Sequence, residues 1–81
     1  MRILFFAQAR EATGHRRLAW AVPGEGRRLV EILAELRTEF PALRRLLPAC
    51  RFAVNGSYVD LPTAHLSDGD ELAIHPPYSG G

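Results

Sequence analysis

Apolar residues are concentrated in the first part of the chain. Arg2 to Ala9 is rich in Ile, Leu and Phe and is followed by polar residues and Gly14, which predicts a strand buried on much of both faces. From Arg17 to Val22 apolar and other side chains alternate, the period of a half-buried second strand. Arg10 to His15 is long for a tight turn, so we expect a short loop or one helical turn between the two strands.

The hydrophobic period then changes from two to that of a helix. Apolar side chains recur on one face, at Leu29, Ile32, Leu33, Leu36 and Phe40, with charged residues opposite. Since the segment before Leu29 has no Ser, Thr, Asp or Asn, we expect Gly24 or Gly26 to cap this main helix weakly. Pro41 should end it at Phe40.

A second, shorter helix is predicted directly afterwards. Pro41 suits the first position of a helix, so we expect a short helix through Leu47, ended by Pro48.

The remaining segments have the features of strands and turns. Asn55-Gly56 lies between apolar residues and suits a tight hairpin turn with a strand on each side. Ser67-Asp68-Gly69-Asp70 predicts another turn, followed by a last strand at Glu71–His75. Pro76-Pro77 should end the pairing, since neither residue can donate a backbone hydrogen bond.

These elements predict a single α+β domain. Two strands, a crossover helix and further strands fit a mixed sheet of about five strands packed on one main helix, with a short second helix, the arrangement called a β-grasp. We assign residues 1–77 to this domain and residues 78–81 to a flexible C-terminal tail. With only 81 residues, most apolar side chains are needed for the core, which favours a carrier or binding partner over an enzyme with a deep pocket.

Charge and composition exclude several functional classes. The formal net charge is +1, and basic residues come as separated pairs among acidic ones, so nucleic acid is not indicated. No stretch has the length of a membrane span or of a signal peptide's apolar region. A single cysteine, Cys50, has no disulfide partner, which favours a reducing compartment, and we place the protein in the cytoplasm.

Other reactive side chains do not form a recognisable site. His15, His65 and His75 lack metal-ligand spacing, so we assign no metal. His65, Ser67 and Asp68 crowd one turn and could not form a catalytic relay. Cys50 is interpreted as a structural thiol, since nothing in the sequence indicates that it is activated.

The C-terminal residues form the main candidate for chemistry. Two glycines, Gly80 and Gly81, end the chain, so the terminal carboxylate is unhindered and the thin end could enter a channel that excludes a Cβ. Pro76-Pro77 should stiffen the segment before it. A frayed terminus or a cloning remnant would look the same, so the glycines alone are weak support.

Three segments resemble a known family, the small subunits of molybdopterin synthase, which are MoaD-type sulfur carriers. They are LFFAQAREATG at Leu4–Gly14, FAVNGSYV at Phe52–Val59 and DGDELAIHPPYSGG at Asp68–Gly81. The last is the most specific, because an acidic turn, a strand, two prolines and a terminal Gly-Gly occur in a fixed order.

The resemblance implies a ubiquitin-like β-grasp fold and chemistry at the terminus. An ATP-dependent adenylating enzyme would activate the Gly81 carboxylate, and a cysteine desulfurase or rhodanese-like donor would supply sulfur, giving a C-terminal 1-thioglycine. The thiocarboxylate would pass its sulfur to cyclic pyranopterin monophosphate inside a synthase, expected to be a heterotetramer, whose large subunit supplies most of the active site. No cofactor is expected to be bound permanently.

Residue roles are carried over on the same basis. Gly81 bears the sulfur, Gly80 gives clearance, and Tyr78 and Ser79 line the path of the inserted tail. The residues assigned to the docking surface are Phe6, Arg10, Ile74 and Pro76. His75 departs from the family pattern, which often has an aromatic or apolar residue there.

Two other functions remain open from the sequence. The same tail could serve a sulfur carrier of thiamine or another pathway, or a ubiquitin-like protein modifier joined through Gly81 to a lysine of a target. A β-grasp interaction module without chemistry, binding through a sheet edge or face, belongs to another class.

Overall fold

A computed structural model describes residues 1–77; Tyr78, Ser79, Gly80 and Gly81 lie outside the described residues. The elements, in chain order, are β1 (Arg2–Phe5), α1 (Ala7–Thr13), β2 (Arg17–Ala19), β3 (Arg27–Arg28), α2 (Leu29–Glu39), two 3₁₀ helices (Pro41–Arg45 and Leu47–Ala49), β4 (Arg51–Val54), β5 (Ser57–Tyr58), β6 (His65–Leu66) and β7 (Glu71–His75).

The main sheet has five strands in the order β2-β1-β7-β4-β5. β7 is central and pairs in parallel with β1, Ile3 opposite Leu72, and antiparallel with β4, Phe52 opposite Ile74. The predicted mixed sheet packed on one main helix is confirmed, and it has the β-grasp arrangement. The last strand has the predicted bounds, Glu71–His75.

The core lies between one face of the sheet and α2. Helix α2 contributes the side chains that the periodicity selected, and the opposing strands contribute alternate residues. The fully buried large side chains are Ile3, Leu29, Ile32, Leu33, Leu36, Leu43, Leu66, Leu72 and Ile74. Alternation along β7 therefore leaves Glu71, Ala73 and His75 on the opposite face.

The first strand is shorter than predicted, and a helix follows it. Ala7 has a φ of 48°, which breaks the extended backbone, and Ala7–Thr13 then forms α1. The prediction that the strand continues to Ala9 was wrong because this segment is rich in strong helix formers. Helix α1 ends at Gly14, whose left-handed conformation lets its N–H bond the Arg10 carbonyl at 2.8 Å.

The second strand also ends earlier than predicted. Its pairing with β1 covers Arg17–Ala19, and two further bonds join Trp20 and Met1: the Trp20 N–H donates to the Met1 carbonyl at 3.0 Å, and the Met1 ammonium group donates to the Trp20 carbonyl at 3.0 Å. β1 begins at Arg2, opposite Ala19, so the ladder between the two strands ends there. The predicted alternation nevertheless continues, since Val22 is buried and Ala21 is exposed.

The helix cap differs from the prediction. Arg28, not Gly24 or Gly26, is the N-cap of α2, and its N–H donates to the Glu31 carboxylate at 3.1 Å. Gly26 instead lies at a tight approach, with a φ of 81°. A Cβ there would come 2.5 Å from the His65 ring and 2.6 Å from the Leu66 carbonyl oxygen. The β3–β6 ladder beside it was not predicted.

The short second helix is two 3₁₀ helices. Pro41 begins the first, as predicted, and α2 ends at Glu39 with Phe40 as its C-cap. The prediction that Pro48 ends the segment was wrong: Pro48 lies within the first turn of the second 3₁₀ helix, where its fixed φ fits and no N–H is needed.

Both predicted turns are confirmed. Asn55 and Gly56 have φ values of 51° and 86° and connect β4 to β5. In the second turn, the Asp70 carboxylate accepts from the Ser67 N–H at 2.8 Å and from the Asn55 side chain at 3.0 Å. These hydrogen bonds hold the pKa of Asp70 below its usual range.

Candidate functional site

The chain leaves the sheet at the end of its central strand. β7 ends at His75, Pro76 is partly buried and Pro77 is exposed. Neither proline can extend the ladders. The tail residues assigned to sulfur chemistry and insertion, Tyr78, Ser79, Gly80 and Gly81, lie outside the described residues, so their roles stay predictions.

Three aromatic rings lie together on the sheet surface beside this exit. The Phe6 and His75 rings are stacked, with centroids 4.6 Å apart and planes at 8°. The Tyr58 ring meets His75 edge to face at 5.9 Å. We call Phe6, Tyr58 and His75 the ring cluster. The guanidinium carbon of Arg51 lies 3.9 Å from the Tyr58 ring centroid.

The strand register brings these rings together. Arg51 is opposite His75 in the β4–β7 ladder, and Tyr58 is on the neighbouring strand β5. Phe6 follows β1, and its N–H bonds the Ile74 carbonyl at 3.4 Å. His75 therefore occupies the position between the two other rings.

The ring cluster is unusually exposed for apolar side chains. In residues 1–77, the exposed large hydrophobic side chains are Phe6, at 42%, and Tyr58, at 57%, and both belong to the cluster. Exposed aromatic residues gathered at one place are typical of protein interfaces, where they supply contact area at low entropic cost. The arrangement therefore favours a docking surface around the base of the tail.

The predicted docking residues are only partly brought together. Phe6 lies in the ring cluster, Arg10 projects from α1 at its edge, and Pro76 is at the chain exit. The assignment of Ile74 to this surface was wrong, because its side chain is fully buried against the core. Its neighbour His75 faces the surface instead, as alternation along a strand requires.

Tyr58 and Arg51 were missed as surface residues by sequence reasoning. The sequence feature that could have located Tyr58 is the Asn55-Gly56 turn, which fixes the register of β4 with β5 and places Tyr58 opposite Ala53. That register alone did not indicate that β4 would lie beside β7, because the pairing of non-consecutive strands depends on the whole fold.

A cleft adjoins the ring cluster on the α1 side. Its volume is about 280 Å³, and its lining consists of Leu4, Phe5, Phe6, Ala7, Arg10, Arg16 and Arg17. A larger groove of about 570 Å³ lies on the other side, between α2 and the β4–β5 hairpin, and includes Cys50, Arg51 and Tyr58 in its wall.

Cys50 has the properties of a structural thiol. Its Sγ donates to the Leu46 carbonyl at 3.1 Å, and burial raises the pKa of the thiol. A raised pKa reduces the thiolate fraction, which is the reactive form. The geometry therefore supports no persulfide chemistry at this residue.

The other polar candidates hold the fold together. Asp68 forms an ion pair with the Met1 ammonium group at 3.4 Å, and Ser67 belongs to the turn closed by Asp70. His15 contacts the Phe40 ring edge to face. Within residues 1–77, no three His, Cys, Asp or Glu side chains are placed to hold a metal ion. Over the same residues, no helix is long and apolar enough to cross a membrane.

Comparison with known proteins agrees with this architecture over nearly the whole chain. The ThiS family model matches residues 3–81. The chain is 38% identical over 82 residues to the molybdopterin synthase sulfur carrier subunit of Chlamydomonas reinhardtii, covering 100% of this chain and 98% of the relative.

Solved structures give the same result for the fold. SAMP1 of Haloferax volcanii, the small archaeal modifier protein 1, superposes with a TM-score of 0.81 at 30% identity, over 99% of this chain and 97% of that one. A chain from the complex of subunits 1 and 2 of the molybdopterin-converting factor of Helicobacter pylori has the same fold, with a TM-score of 0.66 at 22% identity over 99% and 96% of the two chains. By its matching model, its full-length relative and its fold, this chain belongs to the ThiS family.

Proposed function

We propose that this protein is the sulfur carrier subunit of a molybdopterin synthase and acts in molybdenum cofactor biosynthesis. The observation that carries the proposal is the full-length identity of 38% to a relative named for that role, together with a family match that extends through Gly81. The position of β7 supports it, because the chain leaves the domain beside an exposed aromatic surface.

The proposed chemistry begins with activation of the terminal carboxylate. A carboxylate is a poor acyl electrophile, so an adenylating enzyme transfers AMP from ATP to a Gly81 oxygen and releases pyrophosphate. Attack of sulfide on this mixed anhydride forms the carbon–sulfur bond and expels AMP, leaving the thiocarboxylate. With a persulfide donor, the first product is an acyl disulfide, and a second thiol must reduce it to release the same thiocarboxylate.

The sulfur is then transferred to the pterin precursor. The thiocarboxylate sulfur displaces an oxygen substituent of the precursor, so a carbon–sulfur bond forms as a carbon–oxygen bond breaks and the oxygen leaves as water or phosphate. Water then cleaves the acyl–sulfur bond, which leaves the sulfur on the precursor and returns the Gly81 carboxylate. A dithiolene contains two sulfurs, so two loaded tails are consumed per product. In this scheme the small subunit supplies the sulfur, and the large subunit supplies most of the groups around the substrate.

The partners follow from the same scheme. The large synthase subunit, in a heterotetramer, receives Tyr78, Ser79, Gly80 and Gly81. The adenylating enzyme receives the same tail at another stage, and a desulfurase or rhodanese-like protein supplies the sulfur. We propose that Phe6, Arg10, Pro76 and His75 contribute to docking. The setting is the cytoplasm, where a lone thiol such as Cys50 stays reduced.

Reconstitution tests this function directly. The thiocarboxylated protein, mixed with the large subunit from the same source, is expected to convert the pyranopterin precursor. A variant with one alanine added after Gly81 is the control: it should keep the fold, as judged by its NMR spectrum, and lose conversion. Failure of the loaded wild-type protein to convert the precursor would show that the client is different.

A protein modifier is the second candidate, and the similarity to SAMP1 favours it. The discriminating observation is mass spectrometry of proteins from the native host. Gly81 in isopeptide linkage to lysines of other proteins supports the modifier. A C-terminal peptide heavier by the difference between sulfur and oxygen supports the carrier. A simple interaction module would tolerate the added alanine.

A further inference from the structure

The cleft next to the ring cluster is lined by four apolar and three basic residues. The apolar residues are Leu4, Phe5, Phe6 and Ala7, and the basic residues are Arg10, Arg16 and Arg17. We call it the arginine cleft. Its volume of about 280 Å³ is below the range of about 300–1,000 Å³ found for small-molecule pockets. It therefore suits one or two side chains of a protein better than a nucleotide.

The three arginines come from two parts of the chain, α1 and the start of β2, which lie on either side of the cleft. Arg10 projects from α1. Arg17 is opposite Leu4 in the β1–β2 ladder, so both side chains lie on the same face of the sheet. The Arg16 carbonyl accepts the Phe5 N–H at 2.9 Å, which fixes its backbone against β1.

None of the three has a carboxylate partner among residues 1–77. Ion pairs elsewhere in this range involve Arg2, with Glu71, and Arg27, with Glu31 and Glu35. Arg10, Arg16 and Arg17 are exposed, and no ion pair with another residue of the range 1–77 neutralises them. Like charges held around a concave, partly apolar surface concentrate positive potential and attract anionic groups.

The cleft is continuous with the ring cluster, since Phe6 belongs to both. A partner protein that contacts the stacked Phe6 and His75 rings would therefore also reach the three arginines at the edge of the interface. Carboxylates match the forked geometry of guanidinium groups and form strong, bidentate hydrogen bonds with them.

We propose that the arginine cleft receives an acidic segment of the protein partner that docks on the ring cluster. This inference rests on the proposed function, in which that partner is the large synthase subunit. Arg16 and Arg17 thereby become determinants of partner binding in addition to the aromatic surface. Aromatic contacts supply contact area at the centre, and the charges at the edge raise the association rate and fix orientation.

The test compares two charge reversals of equal size. One variant carries Arg16→Glu and Arg17→Glu. The matched control carries Arg44→Glu and Arg45→Glu, a second pair of exposed neighbouring arginines that does not line the cleft. Affinity for the large subunit is measured by calorimetry at low and high salt, and NMR spectra establish that each variant is folded.

The expected result is a Kd for the cleft variant about tenfold or more above that of the wild type at low salt, with a change of about threefold or less for the control. The cleft variant should also lose much of the salt dependence of binding. The neutral pair Arg16→Ala and Arg17→Ala should lie between wild type and reversal.

Different failures have different meanings. Equal weakening by both reversals, or no weakening by the cleft variant, overturns the cleft as a docking site while leaving the carrier function intact. Absence of any binding by the loaded wild-type protein overturns the proposed partner and, with it, this inference. Saturable binding of inorganic phosphate in the cleft, without competition against the large subunit, would identify it as a small-anion site instead.

Discussion

Gly26 is a residue whose surroundings leave no space for a side chain. With a φ of 81° and a Cβ position 2.5 Å from the His65 ring, it can carry no side chain without local movement. The Gly26→Ala variant is expected to lose about 3 kcal/mol of unfolding free energy, because backbone strain and steric overlap add.

Gly24 provides the matched control for this substitution. A Cβ at Gly24 has no heavy atom within 4 Å, so Gly24→Ala should change the free energy of unfolding by about 0.5 kcal/mol or less. Urea denaturation of the two variants measures the difference. Equal losses would show that β6 leaves room for a Cβ at Gly26 in solution.

Glu35 is a residue whose contribution depends on pH. Its carboxylate accepts hydrogen bonds from Arg27 and from the Trp20 indole, the latter at 3.0 Å, and these hold the pKa of Glu35 below its usual range. A pKa lowered by folding gives stability that is present above the unfolded pKa and lost as pH falls through the folded one. The group is largely exposed, so we expect a contribution of about 1 kcal/mol at most.

The Glu35→Gln variant tests this dependence. It should be less stable than the wild type at neutral pH, and the difference should shrink as pH falls below about 4.5, the ordinary pKa of Glu. Glu39→Gln, at an exposed position of the same helix, is the control and should leave stability unchanged. A difference that persists at low pH would indicate lost packing instead of lost charge.

Cys50 is expected to be dispensable for the chemistry. A serine hydroxyl could still donate to the Leu46 carbonyl, and partial burial raises the pKa of the half-buried Cys50 thiol. Cys50→Ser should therefore fold and support sulfur transfer at the wild-type rate in the reconstituted reaction. Loss of transfer by the folded variant would assign the thiol a part in sulfur delivery.

At the level of elements, the alternating side chains of β7 have two different roles: those on one face stabilise the core, and those on the other face are available for binding. Ile74 is fully buried, and His75, next to it, stacks on Phe6 at the surface. Ile74→Ala should cost about 2–5 kcal/mol of unfolding free energy by leaving a cavity. His75→Ala should cost about 1 kcal/mol or less, the value of an exposed ring contact, and weaken binding of the large subunit.

Thermal unfolding and calorimetric affinity, measured on both variants, test this division. Ile74→Ala should mainly lower stability, and His75→Ala should mainly weaken binding. If Ile74→Ala weakened binding while stability was retained, the strand would present its other face to the partner.

Sequence patterns predicted elements well where local chemistry decides them. The Asn55-Gly56 turn, the buried face of α2 and the bounds of β7 follow from residue types at short range. The pattern predicted a short loop or one helical turn at Arg10 to His15, but the helix begins earlier, at Ala7, because the apolar run continues into it and the break depends on the positive φ of Ala7. The β3–β6 ladder was missed because two-residue strands carry no periodicity and form only through tertiary contact.

The candidate site shows the same limit. The docking role of Phe6 and Arg10 came from resemblance, and both lie at the described surface near the exit of the chain. Ile74 was misassigned because the docking residues were carried over from the resemblance, whereas the alternation of Leu72 and Ile74 with Glu71 and His75 places the two apolar side chains on the core face. The arginine cleft needs three elements to converge, which is a property of the whole fold.

For the whole molecule, folding and chemistry should be separable. The fully buried large side chains lie between Ile3 and Ile74, while the proposed reactive group is on Gly81. Deleting Gly80 and Gly81 should therefore change the free energy of unfolding by about 0.5 kcal/mol or less, because the core formed by residues 1–77 is left intact, and should abolish sulfur transfer.

Chemical denaturation and the reconstituted reaction measure the two effects. A large loss of stability on deletion would mean that the terminal residues pack against the domain. Retained transfer would place the sulfur on another residue.

The central position of β7 also has a mechanical consequence. β1 and β4 hold β7 on both sides, so a pull on the end of the chain in the direction of β7 is resisted by both ladders. Because ladder hydrogen bonds lie across the direction of such a force, they are loaded in shear and must break together. The domain should therefore resist mechanical unfolding when a force is applied at its C-terminal end. A partner could then bind and release the terminus repeatedly while the domain stays folded.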